Sequence, residues 1–117
     1  INDTYGHSAG ERVLVAFAIF LKNSIRVTDF VGRYSSGEFV IICPETSAQE
    51  ARNSIERLRE NFSKLNHYTN DRVSFNVTFS AGIASFPKYE DIDIMMAEAD
   101  KALYKSKDNG CNQITVA

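Results

Sequence analysis

Apolar residues recur at helical spacing in three stretches of this chain and alternate at strand spacing in others. Val13, Leu14, Phe17, Ala18, Leu21 and Ile25 share one side of a helix. Ser8 with Glu11 reads as the capping box that opens it, and it ends near Arg26. Residues 1–9 read as a loop or helix end with Gly6 as a stop. A second box, Ser47 with Glu50, opens a helix to about Phe62, with Ala51, Ile55, Leu58 and Phe62 on its apolar face. A third helix is expected over Ile94 to Lys107, with Met95, Met96, Ala99, Leu103 and Tyr104 inward and Gly110 as its stop.

Phe30 to Tyr34 and Glu38 to Cys43 read as two strands. The tight Ser35-Ser36-Gly37 turn between them makes a β-hairpin, and Pro44 closes it. Val73 to Ser85 alternates, with Val73, Phe75, Val77 and Phe79 on one face, and predicts a long half-buried strand ended by Pro87. Gln113 to Val116 predicts a short last strand. Residues 63–72 read as a polar loop and 88–92 as an acidic connector. Helices alternating with antiparallel strands predict an α+β fold, a sheet with helices on one or both faces.

The chain has 117 residues, 44% hydrophobic and 24% charged, which suits one modest domain. Its net charge of −2 gives no general attraction to nucleic acid or an anionic membrane. No apolar run approaches the roughly 18 residues that span a bilayer, and no signal peptide is visible. Two cysteines, Cys43 and Cys111, are too few for a disulfide framework, and Cys43 reads as a buried thiol. A cytoplasmic, reducing setting is expected.

Candidate chemistry concentrates around the hairpin. Glu38, straight after the turn, reads either as a solvated edge residue or as a metal or acid/base group on a rigid element. Arg26 and Asp29 have the spacing that puts them on one side of a helical turn. His7, with no nearby nucleophile or metal pattern, reads as a loop-packing histidine, and His67, in the polar loop, as an exposed one.

Arg33-Tyr34-Ser35-Ser36-Gly37-Glu38-Phe39 before an apolar strand resembles the signature hairpin of GGDEF domains, the diguanylate cyclase family. Asn2-Asp3-Thr4-Tyr5-Gly6-His7 with Gly10 resembles the family's loop and helix start. Ala99 to Lys107, with Gly110 and Asn112, resembles its C-terminal signature. The matches keep family order over essentially the whole chain. The resemblance implies a ferredoxin-like nucleotide-cyclase palm, a central mostly antiparallel sheet flanked by helices. It also implies that the family's first strand, with an Asp metal ligand, precedes Ile1. The chain is therefore expected to be one GGDEF-like domain, 1–117, an N-terminally truncated fragment of a larger protein whose N-terminal strand is missing here.

The family joins two GTP molecules into cyclic di-GMP, the 3′-hydroxyl of one attacking the α-phosphate of the other. That needs divalent metal held by carboxylates. The family turn reads GG(D/E)EF, and here it reads SSGEF. Glu38 remains as the residual catalytic and metal-binding candidate, while Gly37 offers no side chain where the family has an acid. Mg²⁺ demands near-octahedral oxygen ligands, which one carboxylate supplies poorly. Among GTP-binding positions, Asn2 matches, Glu11 stands for an Asp, Lys107 matches, and Cys111 replaces an Arg. Glu11 equally serves as the partner of Ser8.

A second family site is whole. Arg26-Val27-Thr28-Asp29 resembles the inhibitory RxxD motif and keeps its register with the hairpin. Arginine forks bind phosphate or the guanine Hoogsteen edge, and a carboxylate accepts from guanine N1 and N2. Arg57 falls where the family adds an Arg, and Arg59 is a neighbour that could substitute. The expected function is a degenerate GGDEF domain, inactive as a cyclase, that binds cyclic di-GMP at Arg26, Asp29 and Arg57 as a regulatory module in bacterial signalling. The alternatives are an active cyclase using the upstream Asp and Glu38, and a structural, dimerisation or GTP-sensing module. Expected partners are cyclic di-GMP or GTP, other domains of the same protein, and a second copy. Mg²⁺ is expected only with a bound nucleotide, and no nucleic-acid or membrane contact is expected of this domain, although an upstream tether to a membrane or sensor fits.

Overall fold

Described residues of the computed structural model run from 7 to 117, so Asn2 and the Gly6 stop lie outside them. The described elements run α1 (His7–Ser24), β1 (Phe30–Ser35), β2 (Glu38–Ile42), α2 (Ala48–Ser63), β3 (His67–Tyr68), β4 (Ser74–Phe75), β5 (Ala81–Ile83), α3 (Ile92–Asp108) and β6 (Ile114–Val116). The α+β class holds. The described strands pair as three two-stranded ladders, two antiparallel and one parallel. The chain divides into two units, up to Pro44 with Lys64–Val77, and Glu45–Ser63 with Thr78–Ala117.

In the first unit, α1 buries Val13 and Leu21 from its apolar stripe, together with Ala9. Phe17 and Phe39 of β2 meet in a T-shaped pair, centroids 5.2 Å apart. Ser8 departs from its expected capping role. It lies inside α1, and its Oγ accepts from Arg12 Nη1 at 3.0 Å. Arg12 also donates to Asn70 Oδ1 at 3.0 Å and Tyr68 O at 2.8 Å, tying α1 to a small β3–β4 hairpin. That hairpin corrects the reading of 63–72 as loop alone. Thr69 and Arg72 close its turn, Arg72 in a left-handed backbone with φ 62°. His67 is half-buried, not exposed. Its ring packs on Phe75 at 5.6 Å, and burial holds its pKa below the usual 6.5.

In the second unit the Ser47 box forms as expected. Glu50 N donates to Ser47 Oγ and Ser47 N to Glu50 Oε1, each at 3.1 Å. Leu58 and Phe62 are the buried residues of α2, and Phe62 meets the Phe79 ring at 6.3 Å. Helix α3 begins earlier than its apolar pattern indicates, because Asp91 caps it, accepting from Asp93 N at 2.8 Å and Ile94 N at 3.3 Å. It lies directly on β5. A Cβ on Gly82 would stand 2.2 Å from Ala99 O and 2.3 Å from Leu103 N. Ala102 and Ser106 are its buried residues, while Tyr104, expected inward, is 69% exposed. The Ser106 hydroxyl donates to Ala81 O at 3.0 Å and lies 2.7 Å from Thr115 Oγ1, binding α3 to the parallel β5–β6 pair.

The long strand over Val73–Ser85 does not form. Its alternation survives only as β4, paired with β3, and β5, paired with β6. Val73, expected on the buried face, is exposed, and Phe75 is buried. A strand needs a hydrogen-bonding neighbour along its whole length, and among the described residues none flanks 76–80 in a ladder. The Asn76 side-chain amide donates instead to Leu65 O at 2.9 Å.

Candidate functional site

The β1–β2 hairpin forms as its sequence predicts. Phe30 pairs with Ile42, Gly32 with Val40, Arg33 with Phe39, and Ser35 with Glu38, with a bulge between Arg33 and Ser35. Ser36 and Gly37 make the turn. Neither has the positive φ that only glycine adopts readily, since the positive-φ residues lie elsewhere. A Cβ on Gly37 would meet nothing within 4 Å. What this position lacks relative to the GG(D/E)EF pattern is therefore an acid, not room for one.

Glu38 is half-buried at the start of β2, its Oε1 3.5 Å from Ser35 Oγ. No group of three or more His, Cys, Asp or Glu able to hold a metal ion converges among the described residues. The described residues at this turn offer one carboxylate and a hydroxyl, the low end of what holds Mg²⁺, which takes its remaining oxygens from water and substrate phosphates. Arg33 is the residue that sequence reasoning passed over. Its Nε donates to Ser35 O at 3.2 Å and its Nη2 to Ser36 O at 2.7 Å. Its position two residues before the turn, on the strand face of Phe39, was the available signal.

At the other end of the hairpin, Arg26 and Asp29 come together, but not on a helical turn. Helix α1 ends at Ser24, and Asp29 N donates to Arg26 O at 3.0 Å across a tight turn. The Asp29 carboxylate accepts from Arg26 N at 3.0 Å and Nε at 3.4 Å on Oδ2, and from Nη2 at 3.1 Å on Oδ1. Nη2 reaches Pro44 O at 3.4 Å as well, so one guanidinium brackets the chain before β1 and after β2. The side chain of Asp29 is 6% exposed and that of Arg26 58%. Hydrogen bonding from Arg26 holds the Asp29 carboxyl below its ordinary pKa against the opposing effect of burial. Cys43 is half-buried rather than buried, and burial, reinforced by the Asp29 charge, pushes its thiol pKa up.

The remaining candidates are dispersed along the chain. Glu11 is exposed on α1 of the first unit. Arg57 is exposed on α2 of the second unit. Its neighbour Arg59 is committed locally, paired with Glu56 and donating to Asn112 Oδ1 at 2.7 Å. Lys107 is exposed near the end of α3, and Cys111 follows in a left-handed backbone with φ 63°, its Sγ 3.6 Å from Lys107 O. Asn2 lies outside the described residues.

A family model described as "Diguanylate cyclase, GGDEF domain" matches residues 1–113. Diguanylate cyclase A of Treponema denticola is 39% identical over 118 residues, covering 100% of this chain and 32% of that protein. Response regulator PleD of Caulobacter vibrioides is 35% identical over 116 residues, covering 97% of this chain and 26% of that protein. The chain thus spans about a third or less of these curated relatives. The GGDEF domain of DgcB from Caulobacter crescentus, solved in complex with c-di-GMP, superposes with a TM-score of 0.91 at 30% identity, over 98% of this chain and 68% of that one. Diguanylate cyclase SiaD of Pseudomonas aeruginosa, solved with its activator SiaC, gives 0.91 at 32% identity, over 100% of this chain and 45% of that one. These neighbours place the fold among the nucleotide-cyclase palms.

Proposed function

The chain belongs to the GGDEF, diguanylate cyclase, family, and from that membership we propose a catalytically silent member that binds cyclic di-GMP and regulates the larger protein it belongs to. The observation that carries the reading is the contrast between the two ends of one hairpin. The turn presents Glu38 beside a bare Gly37. The base presents Arg26 oriented by Asp29, its side chain more than half exposed. Asp29 and Pro44 hold Nε and Nη2, so Arg26 meets a phosphate or the acceptors of guanine as a pre-oriented cation, and little ordering entropy remains to oppose binding. Asp29 stays ionised under ordinary conditions, so it can orient Arg26 or accept from guanine. DgcB, solved with c-di-GMP, lends support by analogy.

Titration calorimetry on the full-length protein tests this. Wild type should bind cyclic di-GMP in the micromolar range, and Arg26→Ala should lose that binding. No heat at high micromolar ligand overturns the receptor reading.

A second reading rests on the relatives, several of which carry the name diguanylate cyclase. On it, the chain makes cyclic di-GMP from two GTP molecules, with Glu38 contributing to metal binding. The single carboxylate at the turn argues against it. Mg²⁺ would then enter only with a nucleotide whose phosphates complete its oxygen ligands.

A further inference from the structure

Helix α1 carries apolar residues on two sides. Ala9, Val13 and Leu21 are buried on its inner side. Val15 and Ile19, four residues apart and so stacked on one face, lie outside that stripe and are 58% and 57% exposed. At about 100° per residue, Glu11, Val15, Ile19 and Lys22 fall within about 80° of arc, on the side of the helix turned away from the buried residues. Glu11 and Lys22 are exposed as well, Lys22 in the last turn. Along the helix the outer stripe therefore runs acid, apolar, apolar, base.

That order is complementary to itself when a second copy runs antiparallel. A two-fold axis midway between Val15 and Ile19 sets Val15 of one copy level with Ile19 of the other. Glu11 then lies six residues from the axis and Lys22 five. At about 1.5 Å of rise per residue, the acid of one helix stands within about 2 Å, along the helix, of the base of the other. A parallel pair would set like charges against each other at both ends, and it would align the two helix dipoles unfavourably.

We infer that the outer stripe of α1 is an interface between two copies of this chain, an antiparallel helix pair with Val15 and Ile19 at its centre and a Glu11–Lys22 ion pair at each end. Two apolar side chains per copy make a small, concentration-dependent contact, and the charges select its orientation. Every residue of the stripe belongs to the first unit. The pairing needs no nucleotide and stands apart from both readings above.

Disulfide cross-linking of the full-length protein tests this. Val15→Cys and Ile19→Cys proteins, each also carrying Cys111→Ser to remove an exposed thiol, are mixed, oxidised with copper phenanthroline and digested, and mass spectrometry identifies the joined peptides. Both positions are more than half exposed, so the variants keep the fold. A disulfide from position 15 of one copy to position 19 of the other should dominate over 15–15 and 19–19 disulfides. Lys22→Glu in both proteins sets acid against acid and should cut that yield roughly tenfold at dilute protein. Glu11→Lys added to Lys22→Glu restores opposite charges and should restore the yield. Absence of the 15–19 disulfide overturns the inference, as does a cross-link of either position to another segment of the same chain. Equal yields from Lys22→Glu and the double exchange overturn it too.

Discussion

Replacing Gly37 with Asp separates a missing group from a damaged scaffold. The turn has space for it, because a Cβ there meets nothing within 4 Å and the backbone is not left-handed. Removing a glycine from such a position stabilises by about 0.4–1 kcal/mol through the unfolded chain. A second carboxylate beside Glu38 costs about 0.2–1 kcal/mol in an exposed setting. The two nearly cancel, so the melting temperature should move by no more than about 4 °C. The functional change is larger. A carboxylate about 4 Å from a cation contributes about 4 kcal/mol at an effective dielectric of about 20. Solvent at this exposed turn reduces that to about 1–3 kcal/mol, roughly 5- to 150-fold in metal affinity or rate. The assay is chromatographic detection of cyclic di-GMP from GTP and Mg²⁺ by the full-length protein, with Gly37→Asn as the uncharged control. Gly37→Asp should give roughly 5- to 150-fold more product than wild type or Gly37→Asn. Equal product from wild type and Gly37→Asp would refute the argument that the missing acid silences the turn. A melting temperature lowered by more than about 10 °C would refute the claim that the turn has room.

Two further outcomes follow from the packing. Gly82→Ala should destabilise by about 3 kcal/mol or more, because its Cβ would strike backbone atoms of α3 that cannot swing aside, whereas Gly32→Ala, with nothing within 4 Å, should fold normally; urea unfolding compares them, and similar midpoints for the two would contradict the close approach of α3 to β5. Stability should also fall as the medium is acidified below about pH 6.5. Burial disfavours the His67 imidazolium in the folded chain, so the unfolded chain takes up the proton first, and the contribution is fully present only above the unfolded value. Melting curves at descending pH, with His67→Phe as the titration-free control, check this, and identical pH slopes for the two proteins would rule it out.

The hairpin was legible because its determinants are local. β-Branched and aromatic residues on either side of a Ser/Gly turn specify pairing and register within a few residues. The Ser47–Glu50 box was legible for the same reason. Arg26 and Asp29 were legible as a pair but not in their conformation, since the same spacing serves a helix and a tight turn. Val73–Ser85 failed because alternation specifies which side of a strand is apolar, not whether a neighbour exists to bond it. Tyr104 failed because helical periodicity defines a stripe but not its edges, and here the close contact at Gly82 centres that stripe on Ala102 and Ser106.

By itself the sequence determined the family, the helices, the hairpin, and the replacement of an acid by Gly37. All of these are written in residue identity and short-range spacing. The tertiary structure alone decided that Gly37 stands in open space, that Arg26 is oriented by Asp29 and Pro44, and that Arg33 holds the turn from within. It also decided that β5 pairs with β6 in parallel. Each depends on which groups meet across the fold. A side chain's hydrogen-bond partners, its exposure and the room around a Cα are set by neighbours distant in sequence, and no local pattern encodes them.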